Sequence, residues 1–522
     1  MRPQRLKVSL QTIAVLALLL VFSGCKVTGE DIEYWKGTIK GPGKIVAVLL
    51  SDKYPMELRT QAAMALVEME RNDVDGVAEL QRALQRIDDK TRLEIVDAMV
   101  PKLEALMKGE GSAQQEDDEL TGPPPRQVRA KDAAYLLTSH ANPQARKKLI
   151  DAVVGWYTVD FNGRSLAGHY SAEQIIRSLG APAASRLVEA LNAQMPQRAL
   201  VKIAELIGQL GSDETKARAA ERLVKIEKEM EGKEFLGWLK DKIGDSLEEQ
   251  GRDVEDKRIL AVAAVNREKF INEGALPAMK HLGDQKIVVD RLLEIASTEP
   301  DEKSAKHMTE RRKKALQALE GHVSEKHLEQ VLALALGEDN PVPVRDYAFD
   351  RVGDIRSKKA IPELWPLVAN GDNEEDAQRL RWRAGELVLA IGGKEVVSKF
   401  LEELPSGQDV EYAAQELEGF ARRMGQMKPP PEELVVDQLD SDQWWDRVIG
   451  LRFLERKGTE EDIPRMKKLI GDEAEVKGPN WEEGWTVGDV AKDAIEKLKE
   501  RLAEPEGEGE GKGSKDDESD SE

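Results

Sequence analysis

Three short stretches of the sequence approach motifs with known chemistry, and each lacks a residue that the chemistry requires. Residues 163–167 (GRSLA) carry the serine of a G-x-S-x-G nucleophile turn, but an alanine replaces the final glycine. Residues 41–45 (GPGKI) lack the earlier glycine and the Ser/Thr after lysine that a phosphate-binding loop uses. Residues 72–76 (NDVDG) match only the middle of a calcium loop, since Arg71 and Arg82 stand at its first and last ligand positions. The sequence therefore does not support hydrolysis, nucleotide binding or calcium binding at these places.

Metal-binding and acid–base residues show no productive spacing either. The six histidines are scattered, at positions 140, 169, 281, 307, 322 and 327. His322 and His327 are five residues apart, which is off the same-face spacing of a helical metal pair. With 98 acidic residues, neighbouring carboxylates occur by chance, so they do not indicate glycosidase chemistry. We therefore expect a non-enzymatic protein without a metal or another cofactor.

Aromatic residues make up 5% of the chain and gather in two regions. One is the stretch 155–170, and the other is residues 365–485, which hold six of the nine tryptophans. Aromatic side chains anchor protein interfaces because they bury a large area at a low entropy cost. Tryptophan also seals irregular junctions between helices, and the sequence leaves both roles open. The candidate protein-binding residues are Trp156, Tyr157, Trp365, Trp382, Trp444, Trp445, Trp481 and Trp485.

The single cysteine, Cys25, follows a segment with the features of a secretory signal. Basic residues open the chain, residues 8–22 (VSLQTIAVLALLLVF) are apolar, and the cysteine ends the run Phe22-Ser23-Gly24-Cys25. The apolar run has the length of a signal-peptide core and is short for a membrane span. One cysteine also excludes a disulfide framework and a cysteine-rich zinc or iron–sulfur site.

This arrangement resembles a bacterial lipobox, in which small residues precede a cysteine that is diacylated and becomes the mature N-terminus. The resemblance implies a signal peptide over residues 1–24 and acyl chains such as palmitate on Cys25, although Phe22 stands where the family usually has leucine. Because Lys26 rather than aspartate follows the cysteine, it also implies the periplasmic face of the outer membrane. Acyl chains contribute about 0.8 kcal/mol per buried CH₂, so two or three of them anchor a protein stably. An uncleaved N-terminal anchor and ordinary signal cleavage with a free thiol are the alternatives.

Beyond this segment, apolar residues recur at helical spacing. Leu58, Ala62, Leu66 and Met69 form one such stripe. Gly, Asp, Asn and Pro interrupt the pattern every 12 to 20 residues or so, and strand-like alternation is nearly absent. The sequence therefore predicts an all-α chain.

Internal repetition is the strongest pattern in the chain. An offset of 36 residues places VRDYA (344–348) over LRWRA (380–384), and Ile361 over Val397. LRTQA (58–62) keeps the same apolar spacing. Each unit predicts a helix, a tight turn, a proline-started helix and a polar loop, which is typical of a helical repeat array.

These blocks resemble HEAT repeats of the bacterial HEAT-like kind, whose pattern is roughly V-R-x-x-A-x-x-x-[LV]-G-x-I followed by A-[IV]-P-x-L. Residues 344–367 match this pattern, and residues 58–69 match its first helix. The resemblance implies an α-solenoid of stacked antiparallel helix pairs, a HEAT-like superhelix. Each pair buries one face against its neighbours, so alanine and leucine suffice at the contacts. We expect Arg59, Arg345 and Arg381 to bond carboxylates or loop carbonyls between adjacent units.

Composition also predicts the boundaries of the segments that follow the signal. After the signal, residues 25–54 are predicted to form a lipidated N-terminus and lead-in, and residues 55–502 the repeat array. Residues 108–126 (KGEGSAQQEDDELTGPPPR) are polar and end near three prolines, which predicts a mobile insertion in the array. Residues 503–522 hold nine acidic and two basic residues, which predicts a disordered acidic tail.

The net charge of −21 argues against nucleic-acid binding, because affinity for phosphates comes mostly from basic surface. The sequence favours a membrane-anchored HEAT-repeat scaffold that binds other envelope proteins or a peptide segment, since solenoids function through long surfaces. One alternative is a HEAT-like lyase of the kind that handles bilin chromophores, or an enzyme-assembly factor, for which residues 156–170 are the place to look. The other is a cytoplasmic adaptor with an uncleaved N-terminal anchor.

Overall fold

The computed structural model of the chain divides into two compact units, one ending at Gln285 and the other beginning at Lys286. The residues that the structure describes are 27–69, 74–110, 123–299, 305–407 and 409–503. Cys25 and residues 1–24, 111–122 and 504–522 lie outside them. The predicted signal and lipidation site, most of the predicted insertion and nearly all of the predicted tail therefore fall outside the described residues.

The first unit is built of helices. In chain order they are α1 (Gly29–Lys36), α2 (Gly41–Leu50), α3 (Met56–Val67), α4 (Gly76–Leu84), α5 (Asp89–Met107), α6 (Pro125–Leu137), α7 (Pro143–Val159), α8 (Phe161–Arg164), α9 (Ala172–Leu179), α10 (Ala181–Ala190), α11 (Gln197–Leu210), α12 (Asp213–Glu231), α13 (Lys233–Glu249), α14 (Asp256–Lys269) and α15 (Leu276–Lys280). A π-helical turn, Phe270–Ala275, joins α14 to α15.

The second unit is helical as well. Its α-helices are α16 (Lys286–Ser297), α17 (Ala305–Ala318), α18 (Leu328–Leu336), α19 (Val342–Ile355), α20 (Ile361–Val368), α21 (Glu375–Gly392), α22 (Val397–Glu403), α23 (Ala414–Gln426), α24 (Glu432–Val436), α25 (Trp444–Lys457), α26 (Ile463–Lys467) and α27 (Val487–Ala503). Short 3₁₀ turns are Glu325–His327, Lys358–Ala360, Gly393–Val396, Asp437–Asp440, Glu460–Asp462 and Lys468–Gly471. Throughout the described ranges, β-structure amounts to one isolated bridge between Glu475 and Thr486, so the all-α prediction is confirmed.

Local sequence signals explain where many of these helices begin and end. Asn142 caps α7 with its side chain, and Pro143 occupies the first helical position, where the missing N–H costs nothing. Ser171 and Gln174 form a reciprocal capping box at the start of α9. That helix ends at Gly180, whose φ of 68° is accessible to glycine at little cost.

In the second unit, each repeat combines a long helix with a shorter one. The short α20 and α22 begin at Ile361 and Val397, each directly after a 3₁₀ turn. The predicted 36-residue repeat and the proline-started helix at Pro362 are therefore confirmed. The long helices pack side by side in chain order, as α17, α19, α21, α23, α25 and α27.

One arginine contact recurs between successive helix pairs. Arg59 Nε donates a hydrogen bond to Leu49 O at 2.9 Å, and Arg345 Nε donates to Ala335 O at 3.0 Å. Both acceptors lie in the last turn of the preceding helix, where carbonyls lack a partner within the helix. The predicted role of these arginines, bonding between adjacent units, is confirmed.

Arg312 makes the same contact in a repeat that the sequence matches only by periodicity. Its Nε donates to Ala296 O, 2.7 Å away in the last turn of α16. Ala315 follows it three residues later, as Ala348 follows Arg345. The shared R-x-x-A spacing is therefore the signal that could have identified this repeat.

Helices also form in the segment that precedes the predicted array. The predicted lead-in, residues 25–54, contains α1 and α2, and Ile32, Ile45 and Leu49 are fully buried there. The apolar stripe of KIVAVLL (44–50) explains this packing, because it recurs at helical spacing. Within the described residues, no helix is both long enough and apolar enough to cross a lipid bilayer.

Candidate functional site

Three of the candidate tryptophans meet around Tyr412 in the second unit. The ring centroids of Trp444 and Trp445 lie 6.0 and 5.3 Å from that of Tyr412, and Trp444 lies 6.3 Å from Trp481. We call these four residues the Tyr412 cluster. Tyr412 and Trp445 are buried, whereas Trp444 and Trp481 are half-buried. The cluster therefore has a buried base and a partly exposed edge.

Hydrogen bonds to and from the backbone of Tyr412 hold this cluster together across a long stretch of sequence. Tyr412 N donates to Lys477 O at 2.9 Å, and Trp481 Nε1 donates to Tyr412 O at 2.8 Å. Gly478 allows this close approach, because a Cβ there would lie 2.5 Å from Tyr412 O and its φ is 130°. The loop before α27 is thus fastened to the segment before α23.

A buried ion pair between Arg381 and Glu416 packs against the Tyr412 ring. Arg381 Nε lies 2.7 Å from Glu416 Oε1, with the two side chains 0% and 1% exposed. The guanidinium also lies 4.4 Å from the ring centroid of Tyr412, within the range of a cation–π interaction. Its remaining N–H groups donate to Asn370 O at 3.1 Å and to Glu411 O at 2.6 Å. The charge of Arg381 is therefore compensated on every side.

Asp446 introduces a titratable group next to Trp445. Burial raises the pKa of Asp446 to about 6, while the hydrogen bond from Ser441 and the charge of Arg447 act in the opposite direction. Ser441 Oγ donates to its Oδ2 at 2.8 Å, whereas Oδ1 has no hydrogen-bond partner among the described residues. Arg447 is mainly engaged elsewhere, since its Nε lies 2.8 Å from Asp472 Oδ2. The Asp446 carboxylate is therefore only partly compensated.

The other three tryptophans of this region make separate contacts, and all are half-buried. The Lys399 ammonium lies 4.4 Å from the ring centroid of Trp365. Trp382 packs against Gly419, where a Cβ would lie 2.7 Å from its Nε1. Trp485 accepts a backbone hydrogen bond from Val476 N at 3.1 Å. Of the six tryptophans that are close in sequence, three therefore lie together in the Tyr412 cluster, and the other three lie apart from it.

In the first unit, Trp156 and Tyr157 cover a buried ion pair. Lys131 Nζ lies 2.6 Å from Asp132 Oδ1, and the two side chains are 0% and 4% exposed. The ammonium lies 5.7 Å from the Trp156 ring centroid and 5.3 Å from that of Tyr157. Burial lowers the pKa of Lys131, and the neighbouring Asp132 opposes this shift. Lys131 Nζ also donates to Ala167 O at 2.8 Å, so residues 155–170 fold over the charge.

A cavity of about 620 Å³ opens beside Trp156. Its charged lining residues are Glu104, Lys108, Asp151, Arg164 and Arg186. A lyase of the kind considered above would need paired acid and histidine groups, and no histidine is among the described lining residues. His169 is exposed in the loop nearby, where its backbone N donates to Asp132 Oδ2 at 3.1 Å.

The structure thus separates the candidate binding residues by exposure. Trp156, Tyr157 and Trp445 are buried, which is compatible with the packing role that the sequence left open as the alternative. The half-buried tryptophans can contact a partner, and for them the binding role stays a prediction. The Lys131–Asp132 pair was not anticipated, because nothing in the sequence distinguishes its charged residues from surface ones. The bond of Arg381 to the Glu416 carboxylate agrees with the expectation for that arginine, although the sequence did not identify its partner or its burial.

The described helices define the class of the protein, an all-α chain of stacked antiparallel helix pairs. No protein-family model and no curated protein matches its sequence. Among solved structures, the karyopherin Kap121p is 11% identical, with a TM-score of 0.37, over 95% of this chain and 57% of that chain. The RNA-binding domain of yeast Puf5p is 8% identical, with a TM-score of 0.24, over 82% and 97% of the two chains. At these identities and TM-scores, neither protein's binding activity transfers to this chain.

Proposed function

We propose that this chain is a membrane-anchored helical-repeat scaffold that binds another protein or a peptide segment in the bacterial cell envelope, without catalysis. The observation that carries the proposal is the Tyr412 cluster, which sits at the surface of a stacked-helix array. Stacked helix pairs offer extended surfaces for partner binding. Aromatic residues are the side chains most often responsible for binding energy at such surfaces.

The geometry of the cluster suits an interface anchor. Trp444 and Trp481 are partly exposed, and their positions are set by ring contacts and by the hydrogen bond from Trp481 to Tyr412 O. A side chain that is already ordered loses little entropy when a partner binds, so more of the contact energy remains as affinity. Trp444 and Trp481 are therefore the residues of choice for contacting the partner.

Membrane attachment rests on the N-terminal sequence. The basic start, the apolar run 8–22 and the small residues before Cys25 together support signal cleavage and acylation at that cysteine. The lysine at position 26 supports the outer membrane by resemblance to known lipoproteins.

Photo-crosslinking tests the binding site. A benzoylphenylalanine is placed at position 444 or 481 of the full chain in its host cells, with position 166 as the control, where Leu166 is 83% exposed in the first unit. We expect a discrete crosslinked protein from positions 444 and 481 and none from position 166. Equal crosslinking from all three positions would reject the Tyr412 cluster as the site.

Alanine substitutions measure how much each tryptophan contributes to partner binding. Trp444→Ala and Trp481→Ala should weaken capture of the crosslinked partner by about tenfold or more, as expected for an interface hot spot. Trp35→Ala is the matched control, since Trp35 is half-buried and packs on Lys44 in the first unit. Unchanged capture by both variants of the cluster would contradict the assignment.

Mass spectrometry of the mature N-terminus tests the anchor. A chain that begins at a diacylated Cys25 is the expected result, and Cys25→Ala should abolish both acylation and membrane fractionation. An intact Met1 would reject the lipoprotein and favour the uncleaved anchor. Fractionation of inner and outer membranes then tests the outer-membrane proposal.

A further inference from the structure

A cavity of about 690 Å³ lies in the second unit, where the C-terminal ends of α19, α21 and α23 meet. Six of its lining side chains are basic and four are acidic, in a chain whose net charge is −21. The acidic lining residues that pair with an arginine of the same lining are Asp350, Asp354 and Glu386. The cavity is thus a basic site on an acidic protein.

Three of the basic side chains are not compensated. Arg356, Lys394 and Lys428 are exposed, and among the described residues no hydrogen bond or ion pair holds their side chains. Each follows the end of a long helix within two residues. A cation is favourable at a helix C-terminus, which explains one positive charge per helix. Three such charges converging on one cavity leave an excess that an anionic group would neutralise.

The cavity lies on the edge of the array from which the chain leaves α27. Arg501, near the end of α27, donates to Glu455 O of α25 at 3.2 Å. Lys457 is the last residue of α25, and Gly425 lies near the end of α23. A Cβ added to Gly425 would lie 3.3 Å from Lys457 Cγ, so the two helix ends are in contact. The ends of α27, α25 and α23 therefore lie side by side, and Ala503 is on that edge.

The chain beyond Ala503 carries the opposite charge and has the necessary length. Residues 504–522 are nineteen residues with nine acidic and two basic side chains. Packed helices lie about 8–10 Å apart, so the ends of α23, α21 and α19 lie two, three and four intervals from α27, roughly 20, 30 and 40 Å away. A Gly-rich coil of this length has an r.m.s. end-to-end distance of roughly 25 Å. Nineteen residues span up to roughly 60 Å when fully extended, so the tail is long enough to reach all three basic residues.

We propose that the acidic C-terminal tail, residues 504–522, binds in this basic cavity of its own chain, with its carboxylates on Arg356, Lys394 and Lys428. The excess positive charge, its position on the exit edge and the length and charge of the tail support the assignment. The proposal is independent of which surface binds the partner and of the lipid anchor.

Tethering makes this contact effective even if each ion pair is weak. Because the tail belongs to the same chain, its effective concentration near the cavity is high, on the order of millimolar for a short tether. An acidic partner segment must then compete with the tail, so the tail regulates access to the cavity. Salt opposes the contact, because the Debye length falls from about 10 Å at 0.1 M to about 3 Å at 1 M.

Zero-length crosslinking identifies the occupant directly. A carbodiimide joins carboxylates to lysine ammonium groups in the full chain, purified in detergent as a mixture of ¹⁴N and ¹⁵N protein. We expect links from residues 504–522 to Lys394 or Lys428 within single chains, falling about fivefold or more between 0.1 and 1 M salt. Links between labelled and unlabelled chains would assign the cavity to the tail of a second copy. Absence of links to both lysines would overturn the proposal outright.

A trans-binding measurement separates the tail from other acidic ligands. The probe is a fluorescein-labelled peptide of residues 504–522, and the chain ending at Ala503 keeps every helix that lines the cavity. This shortened chain should bind the peptide at least about tenfold more tightly than the full chain, whose own tail occupies the site. Equal affinity for the two chains would show that the tail does not bind in cis and leave the cavity to another acidic segment.

A charge-matched pair of variants locates the binding site. In the shortened chain, combining Arg356→Gln, Lys394→Gln and Lys428→Gln should weaken peptide binding by about tenfold or more. The control combines Lys326→Gln, Lys467→Gln and Lys468→Gln, which removes the same charge from exposed positions outside the lining. Equal loss in both triple variants would mean diffuse charge attraction and reject the cavity.

Discussion

Glu416 holds in α23 the position that Arg381 holds in α21, and the two side chains form a buried ion pair between successive repeats. In both helices a small residue follows three positions later, Ala384 after Arg381 and Gly419 after Glu416. Arg59 and Arg345 occupy the same position in other repeats, and their Nε atoms bond the end of the preceding helix. Here the change to glutamate in the next repeat adds a charged bond across the interface, which ties α21 to α23.

Breaking this pair should destabilise the second unit. Arg381→Met leaves the Glu416 carboxylate buried without its partner, which costs about 3–5 kcal/mol of unfolding free energy. The double variant with Glu416→Leu should recover much of the loss, because no buried charge remains. Urea unfolding followed by tryptophan fluorescence measures both.

The exposed pair between Lys358 and Glu395 is the control for this prediction. Its atoms are 2.7 Å apart, but the side chains are 64% and 78% exposed. Lys358→Met should change stability far less than Arg381→Met does, since solvent screens such pairs. A comparable loss at Arg381 and Lys358 would contradict the importance of burial.

Asp446 should make the stability of the second unit depend on pH. Because burial raises its pKa to about 6, the folded protein binds this proton more tightly than the unfolded chain does. Its contribution therefore favours the folded state at low pH and is lost as pH rises from about 4 to about 6. Near neutral pH the ionised carboxylate costs about 3 kcal/mol. Asp446→Asn should therefore gain stability relative to the natural chain as pH rises through this window.

Asp489 is a control, because its pKa is shifted in the opposite direction from that of Asp446. The hydrogen bond with Lys492, followed by those with Thr486, lowers the pKa of Asp489. Its contribution is present above the unfolded pKa and is lost as pH falls through the folded one. Asp489→Asn should thus be most harmful near neutral pH. If the two variants show the same pH trend in urea unfolding, the interpretation of Asp446 is wrong.

Neighbouring tryptophans in α25 should respond differently to truncation. Trp445 is 2% exposed and packs on Tyr412, so Trp445→Ala should lower the unfolding free energy by about 3–5 kcal/mol. Trp444 is half-buried, and Trp444→Ala should cost clearly less. Thermal unfolding of the two variants decides this, and equal losses would place both residues in the core. This difference makes Trp444 the usable probe of partner binding.

Replacing Gly168 by any residue with a side chain should destabilise the first unit. Its φ is 94°, and a Cβ there would lie 2.5 Å from Asp132 Oδ2 and 2.7 Å from Lys131 Nζ. Gly168→Ala should therefore cost about 1–3 kcal/mol through backbone strain alone and disturb the buried ion pair. Gly244→Ala in α13, where a Cβ meets nothing within 4 Å, should instead be neutral or stabilising by up to about 1 kcal/mol. Thermal denaturation of both variants measures the contrast.

Part of the fold followed from the sequence because its determinants are local. The spacing of Arg345 and Ala348, repeated at Arg381 and Ala384, marks the same helix in successive repeats. Pro362 marks the start of the short second helix. Helical periodicity and proline geometry act over a few residues, so a single sequence reveals them.

The exposure of the candidate binding residues was less accessible to such reasoning. Trp444 and Trp445 are adjacent in the chain, yet one is half-buried and the other is buried. Trp445 packs on the buried Tyr412, whereas Trp444 also contacts Trp481, which comes from a loop more than thirty residues away and donates to Tyr412 O. Composition marked the region as aromatic, but it could not assign exposure within it.

The sequence by itself determined the helical class, the repeat spacing and the arginines that bond the preceding helix end, because all three depend on contacts within one or two repeats. Only the tertiary structure decided which charges are buried, as in Arg381 with Glu416, and which remain uncompensated, as in Arg356 and Lys394. A charged residue has the same local sequence preference on a surface and in an interior. Its role depends on the dielectric environment and on partners that are distant in the chain, and folding alone brings these together.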